Sequence, residues 1–124
     1  MSNKTLQILL EEANQAVPCL SYEETKKKIG TEEVLIIDVR EESEVLANGV
    51  IKNAIHIPRG LIEFKLPEII SIITENTSLL LYCAGGYRSA LAAKTLKDLG
   101  INNVFNIGGY DSWIENGGEI QTSK

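Results

Sequence analysis

This chain has little from which to build a metal centre: one histidine, His56, and two cysteines, Cys19 and Cys83, far apart in sequence. One imidazole, two distant thiols and scattered carboxylates make a poor tetrahedral zinc set, so no metal is expected. No sequence signal for a cofactor stands out, and none is expected. The cysteines form no Cys-x-x-Cys pair, which removes the simplest dithiol redox motif. Apolar runs are short, and none approaches the roughly 20 residues of a membrane-spanning helix. The start of the chain carries Lys4, a brief Ile8-Leu9-Leu10 run and then Glu11-Glu12. That pattern is not a secretory leader, and the expected location is cytoplasmic, where a structural disulfide is disfavoured. Basic clusters are also scarce. Lys26-Lys27-Lys28 follows two glutamates on a predicted helix face, and the net charge is -5. Neither a nucleic acid nor a membrane surface is an expected partner.

What is present fits one α/β domain. The 124 residues and 44% apolar content are enough for a hydrophobic core. Helical spacing over residues 4–17 predicts an N-terminal helix ended by Pro18. Ser21 and Glu24 stand at capping-box spacing and start a second helix, which Gly30 is expected to stop. Val34-Leu35-Ile36-Ile37 reads as a strand buried on both faces. A short helix over 41–47, a strand at 55–57 and a helix over 67–73 follow. Leu79 to Tyr82 is the next buried strand, and a helix begins directly after it and stops at Gly100. Val104 to Ile107 is the last predicted strand, Gly108-Gly109 a turn, and 110–116 a final helix. This alternation argues for a mainly parallel sheet with helices on both faces. In such folds reactive groups gather at the C-terminal ends of strands, where Asp38 and Cys83 both fall.

The run Tyr82-Cys83-Ala84-Gly85-Gly86-Tyr87-Arg88-Ser89 carries the chemistry. A strand delivers a cysteine to a six-residue loop that closes on an arginine at a helix start. Inward loop amides, the helix N-terminus and the Arg88 charge all favour an anion there, so Cys83 is the candidate nucleophile with a depressed pKa. Gly85 and Gly86 are expected to supply positive φ for those amides. Asp38 and Arg40 flank Val39 and point to one side of an extended chain, which suits an ion pair or an anchor for nearby loops. His56, between two isoleucines, reads as structural rather than as a base for Cys83. Tyr110 and Trp113 read as packing residues of the last helix. Cys19 reads as incidental, with resolution of an oxidised Cys83 as its alternative role.

Several separated stretches resemble a single-domain rhodanese, a sulfurtransferase domain. Leu35-Ile36-Ile37-Asp38-Val39-Arg40-Glu41 is similar to the family's Asp-Val-Arg segment. Glu44 through Pro58 resembles the next segment, except that Val50-Ile51-Lys52-Asn53-Ala54 stands where the family often has His-Ile-Pro-Gly-Ala. Cys83 through Ser89 is similar to the Cys-x-x-Gly-x-Arg active-site loop, and Gly108-Gly109 with Trp113 and Gly117 to the C-terminal signature. The resemblance implies a three-layer fold with a central, mostly parallel five-stranded sheet, over residues 20–122. Residues 1–19 would be a helical extension packed on that domain. It also implies a persulfide on Cys83, held by Ala84, Gly85, Gly86, Tyr87, Arg88 and Ser89. The implied donor is a small sulfur anion, thiosulfate or a persulfide. The implied acceptor is cyanide, a thiol or a protein. Two other readings stay open. Rhodanese folds also serve as non-catalytic binding or regulatory modules. Related phosphatase and arsenate reductase domains have five residues between Cys and Arg, whereas this chain has four.

Overall fold

A computed structural model describes residues 3–122; Met1 and Ser2 of the expected extension lie outside the described residues. The chain runs α1 (Leu6–Ala16), α2 (Tyr22–Thr31), β1 (Val34–Asp38), α3 (Glu42–Asn48), β2 (Val50–Ile51) and β3 (Ile55–His56). A 3-10 turn (Arg59–Leu61) leads to α4 (Leu66–Ile72), β4 (Ser78–Cys83), α5 (Tyr87–Asp98), β5 (Val104–Gly109), α6 (Tyr110–Glu115) and β6 (Ile120–Gln121).

The central sheet has the order β3-β1-β4-β5, all parallel. It holds four strands, not the five expected. At the β5 edge the chain is extended for one bridge only: Cys19 pairs with Asn106, whose amide donates to the Pro18 carbonyl and whose carbonyl accepts from Leu20. Pro18 has no N–H to lengthen a ladder, and α2 begins almost at once. β2 and β6 form a separate antiparallel pair. Two further boundaries differ from expectation. Gly30 lies inside α2, which continues to Thr31; the Ser21–Glu24 capping box fixes its start, and Thr31 Oγ1 donates to the Lys27 carbonyl. Gly108 and Gly109 continue β5 instead of turning.

Successive side chains of a strand alternate between faces, and the two cores follow that period. Ile37, Leu79, Leu81 and Cys83 pack with Val17, Ala92, Ala93 and Leu96. Ile36, Leu80 and Tyr82 pack with Ile51, Tyr110 and Trp113. Thr5 caps α1 by accepting from the Ile8 amide, and Ala13 and Val17 bury its apolar stripe; α1 lies against α5. No helix among the described residues is long and apolar enough to cross a membrane.

Candidate active site

Cys83 ends β4, a strand buried along its whole length, and α5 starts four residues later. The loop between them is shaped by two glycines. Gly86 takes φ +95° as the residue before α5, a left-handed conformation in which its N–H meets Cys83 Sγ at 3.0 Å. Gly109 pairs with Cys83 across the sheet after a bulge in β5, and a Cβ there would run into the Ala84 carbonyl oxygen. Gly85, by contrast, uses no positive φ, so only one of the two loop glycines has the backbone role expected of both.

The sulfur sits low in this loop. Cys83 is 1% exposed, while Ala84, Gly85 and Tyr87 form an exposed rim. Burial pushes the thiol's pKa up, yet the balance is downward. Ser89 contributes most through its hydroxyl, 3.5 Å from Sγ, and then through its amide, and the amides of Gly86 and Gly85 add to it. Of the residues expected to surround the sulfur, Gly85, Gly86 and Ser89 therefore face it with donors. The Tyr87 side chain projects into solvent.

Arg88 is not a free cation. Its Nη1 donates to Glu44 Oε1 at 2.7 Å and its Nη2 to Oε2 at 3.0 Å. This bidentate pair holds the Glu44 carboxyl down at about 2 and raises the arginine further. Arg88 is also near enough to Cys83 to gain from a thiolate there. Asn106, 5% exposed, supports the loop from β5. Its Oδ1 accepts from the Ser89 hydroxyl at 2.8 Å and from the Gly108 amide at 3.0 Å, and its Nδ2 donates to the Gly86 carbonyl at 3.0 Å.

Asp38 and Arg40 meet on the other face of the sheet, both almost fully buried. The guanidinium takes the carboxylate through Nε and through Nη2 at 2.6 Å, and Nη2 also donates to the Gly49 carbonyl. Arg40 lies 4.1 Å from the Tyr110 ring centre and 5.8 Å from that of Tyr82. The pair thus ties the end of β1 to the end of α3, the helix that carries Glu44. His56 Nε2 donates to the Arg40 carbonyl at 2.7 Å, and β1 separates its strand from Cys83. Trp113 packs on Tyr22 and donates to the Glu119 carbonyl. Cys19 lies two strand spacings across the sheet and about two residues short of Cys83, ~12 Å by strand geometry. That is too far for a disulfide without backbone movement. Among the described residues no cluster of His, Cys, Asp and Glu suits a metal ion.

Three residues were given no role at the site from the sequence: Glu44 and Gly109, which stand only within stretches of family resemblance, and Asn106. A lone asparagine inside the apolar run Val104-Phe105-Asn106-Ile107 was the available signal for Asn106. Glu44 opens a stretch of family resemblance, but as it is one of five glutamates among residues 32–44, nothing tied it to Arg88.

A profile described as Rhodanese-like domain matches residues 21–116. The chain belongs to this family. A sulfurtransferase of Allochromatium vinosum is 34% identical over 88 residues, which cover 70% of this chain and 78% of that protein. A putative sulfur carrier protein of Bacillus subtilis is 36% identical over 93 residues, 74% of this chain; the match spans 48% of that relative's length. A solved structure from Rhodopseudomonas palustris, described as a protein of unknown function and possible tyrosine phosphatase, superposes with a TM-score of 0.84 at 34% identity. It covers 98% of this chain and 97% of its own. The first two likenesses support sulfur transfer in general terms; the third bears on the fold and includes the region of α1.

Proposed function

We propose that this protein is a sulfurtransferase that carries a persulfide on Cys83. The observation that carries the reading is the set of donors on Sγ: the Gly86 amide at 3.0 Å, the Ser89 hydroxyl and the amides of Gly85 and Ser89. They favour a singly charged sulfur and need no histidine base. The Cys83 thiolate attacks the outer sulfur of a donor, thiosulfate or a persulfide. The donor's S–S bond breaks, and its electron pair leaves on sulfite or a thiolate. Cyanide, a thiol or a protein acceptor then takes the terminal sulfur and restores the Cys83 thiolate. Division into two displacements lowers each barrier. Ala84, Gly85, Gly86, Tyr87, Arg88 and Ser89 line the path. Because Cys83 is 1% exposed, the rim of Ala84 and Gly85 must yield as the donor docks.

Intact mass spectrometry tests the proposal. Incubation with thiosulfate or cysteine persulfide should add one sulfur to the wild-type chain, and cyanide should remove it. Cys83→Ser should show no gain. A wild-type chain that gains nothing, and whose Cys83 resists iodoacetamide, would overturn the proposal in favour of a binding module. Hydrolysis of a phosphotyrosine substrate without sulfur uptake would favour the phosphatase reading.

A further inference from the structure

The guanidinium nearest the nucleophile is already occupied. Glu44 engages both terminal nitrogens of Arg88, at 2.7 and 3.0 Å, and the two side chains are 31% and 36% exposed. Arg40 lies on the opposite face of the sheet and is held there by Asp38, so it offers the donor no free charge. With Cys83 ionised, the thiolate, Glu44 and Arg88 together leave one net negative charge where a donor must enter.

We propose that Glu44 selects the sulfur donor by cancelling the charge of Arg88, so that the loop disfavours a dianion such as thiosulfate and favours a persulfide bearing a single charge. The inference rests on the sulfur-transfer reading and narrows its substrate class. Both donors deliver the same atom. With a persulfide, the Cys83 sulfur forms a bond to the outer sulfur, the donor's S–S bond breaks, and the pair leaves on the inner sulfur as a thiolate. One negative charge enters and one leaves. With thiosulfate two charges enter and two leave on sulfite. The sulfite oxygens find the end-on Nη1/Nη2 fork of Arg88 taken by Glu44, and the charge behind its remaining N–H groups already balanced. At about 5 Å and an effective dielectric between those of water and a protein surface, the extra charge is worth about tenfold in rate.

The test compares kcat/KM for thiosulfate and for cysteine persulfide in wild type, Glu44→Gln and Glu44→Asp. In Glu44→Gln the thiosulfate-to-persulfide ratio should rise about tenfold at low salt, while Glu44→Asp keeps the wild-type ratio. In wild type, without any substitution, added salt should speed thiosulfate use more than persulfide use, since screening weakens the repulsion. An unchanged ratio, or an equal fall with both donors, overturns the inference and reduces Glu44 to a prop for Arg88; sulfur transfer itself then stands. Absence of sulfur uptake from either donor by the wild type removes both readings.

Discussion

Ser89→Ala separates a tuned thiolate from a merely buried thiol. The Ser89 hydroxyl has one proton and two claimants, Asn106 Oδ1 at 2.8 Å and Cys83 Sγ at 3.5 Å. While the thiol is protonated, the nearer and better acceptor is Asn106. Once Cys83 ionises, the hydroxyl turns toward sulfur, because a hydrogen bond to a charge is stronger than one between neutral groups. Asn106 Oδ1 is not orphaned by the turn, since it keeps the Gly108 amide. A charge-assisted bond is worth about 1.5–3 kcal/mol, and the surrendered neutral bond about 1 kcal/mol. A net of about 1.4 kcal/mol is a factor of about ten in the thiolate population. The assay is iodoacetamide alkylation of Cys83 as a function of pH. Below the wild-type titration, Ser89→Ala should react about tenfold more slowly; at high pH, where both thiols are ionised, the rates should converge. Superimposable profiles, or an equal deficit at every pH, would refute the argument, because the first removes the bond and the second makes Ser89 purely structural.

Asp38→Asn leaves the Arg40 charge buried without its partner and should cost about 3–5 kcal/mol in urea unfolding; a loss below about 1 kcal/mol would show the pair to be dispensable. Gly109→Ala should keep the fold and lose fast alkylation of Cys83, since the new methyl displaces the Ala84 carbonyl and the loop with it; wild-type reactivity in that variant would contradict the close approach. Glu44 has its folded pKa depressed to about 2 from an ordinary 4.5. Its contribution is therefore present above about 4.5 and lost as pH falls through about 2. The contribution is modest, because the pair is about one-third exposed and screened by solvent. Thermal melts of wild type and Glu44→Gln should differ at pH 6 and draw together toward pH 2, and a gap that widens on acidification would reverse the sign of the argument.

The sheet's centre was legible because buried strands announce themselves: Val34–Asp38 and Ser78–Cys83 are apolar and β-branched or leucine-rich, with helix signals around them. The edges were not. β2 and β6 are two residues each, and Ile120-Gln121 is exposed, so no run of sequence sets either apart. The fifth strand implied by family resemblance shrinks here to one bridge at Cys19, an outcome set by contact with Asn106 and not by local propensity. Gly108-Gly109 reads as a turn in isolation and is strand in fact, because glycine there answers to the loop packed against it. At the site, the cysteine and its glycine-rich loop were visible as a contiguous motif. Glu44 and Asn106 reach the loop from α3 and β5, and contacts between distant segments leave no spacing to count.

β4 presents Cys83, the proposed nucleophile, to one layer and Tyr82, with the Asp38–Arg40 pair beyond it, to the other. The proposed chemistry and the buried ion pair therefore occupy opposite sides of a single ribbon. A lineage of such chains could retire the thiol by one substitution and inherit an intact scaffold, rim and all, available for recognition instead of turnover.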